Sequence, residues 1–490
     1  MIPATEPDVV ILGAGMSGVA AAIALTRAGK SSFVMLEQSA GIGGTWWDNR
    51  YPGAQCDVPS HLYSFSFAPN PDWSRAFAPS AEIQRYVEQV ARQAGITDRL
   101  RLGVRVLGAR WDDATGRWDI ATTGGTFRPR HFVVSLGPLN HPRYPEGIEA
   151  FQGPVQHTSR WDPDIDLGMR RVAVIGSAAS AVQVIPPLAA CAAHVTVFQR
   201  TPCWVVARPD RAYGPLERAL FRFAPWNRLY RWWLYWEFEV RVPAFRGRGL
   251  AHALLRRMAR QQLERQVADP ALRERLTPTY PIGCKRILLS NDFYPALAQA
   301  NVTLVNAAAA RFTANSVIAA DGTETPVDAI VCATGFDAMD PLASLPIEGR
   351  DGATLAAAWR DGPEAYRGVT VPGFPNLYLM LGPNSATGHT SVLIAIEAQA
   401  RYVVACIEAL AGGKADSLEV RGAAMHLYNA RIQARLAATV WASDRCRSWY
   451  KTPSGRVLAI YPGLITRYAL GLRRLRREDY TFRRHRAEGG

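Results

Sequence analysis

Asp8-Val-Val-Ile-Leu-Gly-Ala-Gly-Met-Ser-Gly18, continued by Phe33-Val-Met-Leu-Glu37, decides the fold. The apolar run before Gly13 predicts a short buried strand, the residues from Met16 to Ala28 a helix, and Phe33–Leu36 a second strand. Gly13, Gly15 and Gly18 form G-x-G-x-x-G at the strand-to-helix turn. The first glycine permits the tight turn, the second lets backbone approach a pyrophosphate, and the third lets helix pack on strand. Ser17 stands in the first helical turn, where free N–H groups meet phosphate. Glu37, at the end of the second strand, suits the ribose diol of FAD or NAD and repels a 2′-phosphate. A glycine turn of purely structural use is the competing reading. The strand before, the helix after and the acid beyond weigh against it.

The same pattern returns further on. Val172-Ala-Val-Ile175 predicts a strand, Gly176-Ser-Ala-Ala-Ser-Ala181 a turn, and Val195-Thr-Val-Phe198 the next strand, which leads to Gln199-Arg200. Gly13 to Glu37 and Gly176 to Arg200 span the same 24 positions. The slot that holds an acid in the first unit holds an arginine in the second, and an arginine pairs with a 2′-phosphate. FAD is therefore expected on the first unit and NADPH on the second. Ala178 and Ala181 replace the second and third glycines. The extra methyl at Ala178 is expected to push the pyrophosphate outward, with the Ser177 and Ser180 hydroxyls as compensation.

Between the units, Gly43-Gly-Thr-Trp-Trp-Asp-Asn-Arg-Tyr-Pro-Gly-Ala-Gln-Cys-Asp57 is too rich in Gly, Trp and Pro for regular structure and suits a loop around a flat ring system. Phe151-Gln-Gly-Pro-Val-Gln-His-Thr-Ser-Arg-Trp-Asp162 precedes the second unit. It has the pattern F-x-G-x-x-x-H-x-x-x-W-D, carried by Phe151, Gly153, His157, Trp161 and Asp162. With the loop 43–57, the pair Lys285-Arg286 and the turn Ala333-Thr-Gly-Phe336, the chain resembles the type I Baeyer–Villiger monooxygenases over nearly its whole length.

That resemblance implies an α/β fold with two Rossmann-like dinucleotide-binding domains, for FAD and NADP, and a helical insert. The parts expected are 1–145 and 341–490 for FAD, 146–212 and 280–340 for NADP, and 213–279 for the insert. It implies that Gly44, Thr45, Trp46, Tyr63, Val106 and Asn384 belong to the FAD site. Thr201 and Lys285 would join Arg200 at the 2′-phosphate. Arg286 would stand over the flavin, oriented by Asp57; a plain turn residue before Pro59 is the bland alternative for Asp57. The reaction implied inserts one oxygen atom of O₂ beside the carbonyl of a small-molecule ketone through a C4a-peroxyflavin. His157 and Trp161 would support the linker rather than the chemistry.

Composition limits the alternatives. The chain has 490 residues, 48% hydrophobic and 20% charged, as expected for an ordinary multidomain globular protein. Seven cysteines lie singly, without C-x-x-C or metal-ligand spacing. Reduced thiols and a cytoplasmic setting are expected, with no metal and no support for a redox-cysteine enzyme of the pyridine-nucleotide disulfide oxidoreductase kind. The run Val9–Leu25 has acids before it and glycines within it, so it reads as strand and helix, not as a signal or span. The net charge of +14 gathers at Arg241–Arg275 and Arg473–Arg486 without a nucleic-acid motif, so no nucleic-acid partner is expected.

The segment 213–279 carries Trp226, Trp232, Trp233 and Trp236 among arginines. A helical subdomain packing these aromatics near the substrate entrance is expected, with membrane contact through 226–260 as the other reading. The last dozen residues are expected to be mobile. Oligomeric state has no signal. An N- or S-oxidising flavin monooxygenase, an uncoupled NADPH oxidase and a non-enzymatic FAD-bound or membrane-peripheral protein are the remaining functional alternatives.

Overall fold

In the computed structural model the described residues are 6–485 without 338–341, 343, 344, 447 and 453. Two five-stranded parallel sheets organise the chain. The first runs Leu377–Leu379, His131–Val134, Val9–Leu12, Phe33–Leu36, Leu100–Arg101 in space. The second runs Val302–Val305, His194–Phe198, Arg171–Ile175, Ala329–Cys332, Val155–His157. The central strands Val9–Leu12 and Phe33–Leu36 are uninterrupted apolar runs, and Arg171–Ile175 and His194–Phe198 are almost wholly buried, as strands covered on both faces must be.

Helix Met16–Arg27 lies against helix Leu393–Glu408, and both bury alanines (Ala20–Ala22; Ala395, Ala398, Ala400) that allow close approach. Helix Ala179–Cys191 takes the equivalent place on the second sheet, with Val182, Ile185 and Leu188 facing inward. The strands Leu377–Leu379 and Ala329–Cys332 show how the chain returns late in sequence to each sheet. An antiparallel meander, Val106–Asp112, Arg117–Thr122 and Gly125–Phe127, covers the first sheet through Trp111 and Trp118. The expected boundary at 340/341 lies outside the described residues.

Three expectations are corrected. Cys284 and Cys446 form a disulfide across 162 positions, so not all thiols are reduced; spacing along the chain carries no sign of a pair made by tertiary folding. Tyr480–Arg483 is not loose, because it pairs with Ser417–Val420; residues 486–490 lie outside the described part. The tryptophans of the insert are not packed inward: Trp226, Trp232, Trp233 and Trp236 are all exposed. Helix Ala224–Glu239 instead buries Leu234 and Phe238 on its other face. Among the described residues no helix is long and apolar enough to cross a membrane.

Candidate active site

The first glycine turn is built for close approach. Gly13 has φ +95°, and a Cβ there would lie 2.8 Å from the Ser135 carbonyl oxygen. A Cβ on Gly18 would lie 1.9 Å from the Gly13 oxygen, so any side chain would part helix from turn. Gly15 faces Gly44, whose own Cβ would meet the Gly15 Cα at 3.0 Å. Helix Met16–Arg27 has neither a side-chain cap nor an acid in its first turn, which leaves its first N–H groups for an anion. Ser17 is buried in that turn.

Glu37 is buried, with one carboxylate oxygen accepting from the Ala14 N–H (2.8 Å) and the other from the Ser39 N–H (2.9 Å). It is thereby fixed beside the turn with acceptor capacity left over. The backbone of Val104 donates to the Glu37 carbonyl, which brings the strand starting at Val106 beside it. These features fit a dinucleotide.

The loop 43–57 continues the same surface. Gly44 takes φ +57° and starts the single turn Thr45–Asp48. Trp46 is buried, donates its indole N–H to the Tyr63 hydroxyl (3.2 Å) and meets that ring edge-on at 5.6 Å. A cavity of about 530 Å³ opens beside Trp46, Tyr51 and Gln84, and neither Asp57 nor Arg286 lines it. Asn384 is tied to the closing segment. Its N–H donates to the Leu458 carbonyl and its amide to those of Val457 and Ile460, so it fastens the closing segment and has little left for a ring.

On the second unit Gly176 has φ +111°, and a Cβ there would meet the Ala333 oxygen at 2.5 Å. Ala178 caps helix Ala179–Cys191 without a side-chain bond and is exposed. Its methyl lies where the first unit has Gly15. Ser177 cannot compensate as expected, since its hydroxyl donates to the Thr201 carbonyl (3.0 Å). Ser180 lies beside the Tyr51 hydroxyl. Arg200 and Lys285 come together: burial lowers the Lys285 pKa, and the Arg200 charge lowers it further. Two cations within electrostatic reach of each other suit a multiply charged anion.

Asp57 and Arg286 form a two-pronged ion pair. The Arg286 Nε donates to one carboxylate oxygen and Nη2 to the other, the latter at 2.6 Å. Burial pushes the Asp57 carboxyl up, and the Arg286 charge and hydrogen bonds override it, so it titrates below the usual carboxylate range. The Asp57 charge in turn raises Arg286, against the effect of burial. Asp57 is therefore no mere turn residue.

Sequence reasoning missed three groups here. Tyr450 lies beside the guanidinium, its hydroxyl pushed up by burial. Arg208 is buried within electrostatic reach of Asp57, with Nη2 on the Leu289 carbonyl and Nε unpartnered. Gln183 accepts from the Tyr51 hydroxyl (2.8 Å) and donates to the Gln55 carbonyl (2.9 Å), which ties the second unit's helix to the flavin-side loop. All three depend on contacts remote in sequence, and only glutamine's suitability for bridging backbone groups hinted at one.

The fingerprint stretch lies apart from the ion pair. His157 is buried; its Nδ1 is 2.9 Å from the Ser159 hydroxyl and its Nε2 3.2 Å from the Gly335 carbonyl oxygen. Its ring packs on Tyr144 and Phe336. Burial pushes its pKa down to about 4. Phe151 is buried against the second sheet, and Gly153 leaves no room for a Cβ beside that ring. Trp161 packs on the second core, and the Gln156 side-chain amide donates to the Asp162 carbonyl and accepts from the Asp162 N–H. Arg160 reaches Asp48 at 3.3 Å, joining this stretch to the loop 43–57. The stretch is a junction between the two units.

A sequence profile of the pyridine nucleotide-disulphide oxidoreductases matches residues 10–216, the span holding both glycine turns. A steroid monooxygenase solved with NADP superposes with a TM-score of 0.88 at 28% identity, covering 98% of this chain and 100% of that one. A Baeyer–Villiger monooxygenase of Pseudomonas aeruginosa is 42% identical over 94% of this chain and 88% of its own length. One from Streptomyces coelicolor is 43% identical over 96% of this chain and 92% of its own length. With two dinucleotide turns and this extent of likeness, the chain belongs to the Baeyer–Villiger monooxygenases.

Proposed function

We propose that the chain is an NADPH-dependent, FAD-containing enzyme that inserts one oxygen atom of O₂ beside the carbonyl of a ketone, giving an ester or lactone. When bound, FAD and NADPH supply the reducing and oxygen-activating chemistry. The single observation that carries the reading is the Asp57–Arg286 pair, in which Asp57 lies on the loop that follows the first glycine turn.

The chain's residues divide the work. Glu37 holds a ribose diol, and Gly13, Gly15, Ser17, Gly18 and Gly44 let backbone N–H groups reach a pyrophosphate. Arg200 and Lys285 hold a 2′-phosphate, with Thr201 beside them. Arg286 is a fixed cation that stabilises negative charge developing on the carbonyl oxygen during addition. Asp57 holds the guanidinium plane through both prongs, so orientation costs little during reaction. Asp57 is thus the positioning residue. His157, Trp161 and Arg160 hold the two units together while they move. The parts 1–145 with 341–490, and 146–212 with 280–340, act as the two cofactor domains around the 213–279 insert. A cytoplasmic setting, where NADPH is regenerated, is part of the same proposal.

The test is ketone-dependent NADPH consumption by the purified yellow protein, with the ester identified by mass spectrometry. Sulfoxide or N-oxide formation alone, or peroxide release with every ketone offered, overturns it.

A further inference from the structure

Helix Ala224–Glu239 is apolar on two sides. One side is buried, with Leu234 and Phe238 in the core and Arg231 donating to the carbonyls of His61 and Leu62. The buried Glu239 meets His389 at 2.9 Å and accepts from the Ile465 N–H, which fixes that side to the body. The other side carries Trp226, Leu229, Trp232, Trp233 and Trp236, all between 39% and 60% exposed. At 3.6 residues per turn these five lie within an arc of about 120°, roughly opposite the buried stripe. The preceding helix, Pro215–Arg222, packs beside it and adds Leu216, 82% exposed, and Leu220. Phe223 occupies the connection and is also exposed. A water-facing arc normally carries charge, and a contiguous apolar face of this kind marks a contact site.

The charge around it has one sign. Ten arginines and three glutamates lie between Gly214 and Arg260. Glu217 is held by Arg211, Glu237 by Arg241, and Glu239 is buried. Arg218, Arg228, Arg246 and Arg248 are exposed and, among the described residues, in no ion pair.

We infer that this face docks on an anionic lipid bilayer surface. Tryptophans with exposed indoles, aliphatic side chains at the centre and free arginines around them are what the headgroup boundary accommodates. A second copy of the chain fits poorly, because a two-fold contact would set these arginines against their own equivalents. Single-stranded nucleic acid would use aromatic platforms, but leucines at the crest of the patch give bases nothing to stack on.

The test is flotation of the FAD-loaded full chain with vesicles of phosphatidylcholine, with and without phosphatidylglycerol, alongside tryptophan emission. Co-flotation with the anionic vesicles and a blue shift are expected, about tenfold weaker on neutral ones. Leu216→Gln with Trp232→Gln, and separately Arg218→Glu with Arg228→Glu, should each reduce the bound fraction about tenfold. Both double variants should keep their FAD content and ketone turnover. The inference is overturned if the protein stays with the unbound fraction or if the variants bind as well as the parent. A dimer in sedimentation that buries these tryptophans, or oligonucleotide binding without vesicle binding, overturns it equally.

Discussion

Arg286 and Asp57, separated by 229 positions, share two parallel hydrogen bonds in which the guanidinium fork meets both carboxylate oxygens. This geometry fixes a plane as well as a charge, and a lysine at 286 would reproduce only the charge. Asp57 rides on the loop 43–57, and Arg286 follows the disulfide-bonded Cys284 and Lys285. The pair thus joins the loop after the first glycine turn to the segment that carries Lys285.

Arg286→Ala should lower ester formation by about 10²–10³-fold, the effect of losing one electrostatic stabiliser of developing charge. Anaerobic stopped-flow should still show flavin reduction by NADPH at close to the parent rate. Arg286→Lys should recover only part of the loss. If reduction rather than oxygen insertion fails, Arg286 serves cofactor binding and not the carbonyl.

Arg200→Ala should raise the KM for NADPH about 10- to 100-fold, the loss of a charge-assisted hydrogen bond. The KM for NADH, which lacks the 2′-phosphate, should barely change. Ala178→Gly should act the other way and lower the KM for NADPH several-fold, because the exposed methyl at the helix start is removed where Ser177 offers no compensation. Steady-state kinetics with both nucleotides checks the pair.

The glycine turns were legible because each is local: strand, turn, helix and terminal acid or arginine lie within 24 positions. Glu37 and Arg200 could be compared without knowing any tertiary contact. Arg208, Tyr450 and the Cys284–Cys446 bridge could not be reached that way, because only folding brings them to the pair. The tryptophans of the insert show a different limit. Periodicity reports that one side of a helix is apolar, and it is silent on which apolar side faces the core when both are. Asn384 illustrates a third case: its place after a strand says nothing of its side-chain amide, which folding ties to the carbonyls of Val457 and Ile460.

His157 gives a pH prediction with a definite sign. Its pKa is about 4 in the fold against 6.5 for the ordinary side chain, because burial disfavours the charged ring. Between these values the unfolded chain binds the proton and the folded one does not, so stability is full above 6.5 and falls as pH drops towards 4. At pH 5 the loss is roughly 2 kcal/mol. Urea unfolding between pH 7 and 5 should show at least this slope, to which any other buried histidine adds, and His157→Gln should be less stable at pH 7 but flatter across the range by about this amount. An unchanged slope in the variant means that His157 contributes nothing and that His61 and His131, also held near 4 by burial, carry the whole effect.

The Cys284–Cys446 bridge closes a loop of 162 positions and ties the residue before Lys285-Arg286 to the segment that bears Tyr450. Cys446→Ser should therefore cost about 2–4 kcal/mol of stability, read as a lower Tm. It should also reduce ester formation more than flavin reduction, since the support of Arg286 is loosened while Arg200 and the glycine turn at Gly176 are untouched. A reductant should bring the parent to the level of the variant and leave the variant unchanged. In a reducing compartment the open form would prevail, so the parent's sensitivity to reductant sets how much of this rigidity the enzyme has in the cell. Equal Tm values for parent and Cys446→Ser, with and without reductant, would show that the surrounding contacts, among them Phe245 stacked on Trp441, hold the segment without the bridge.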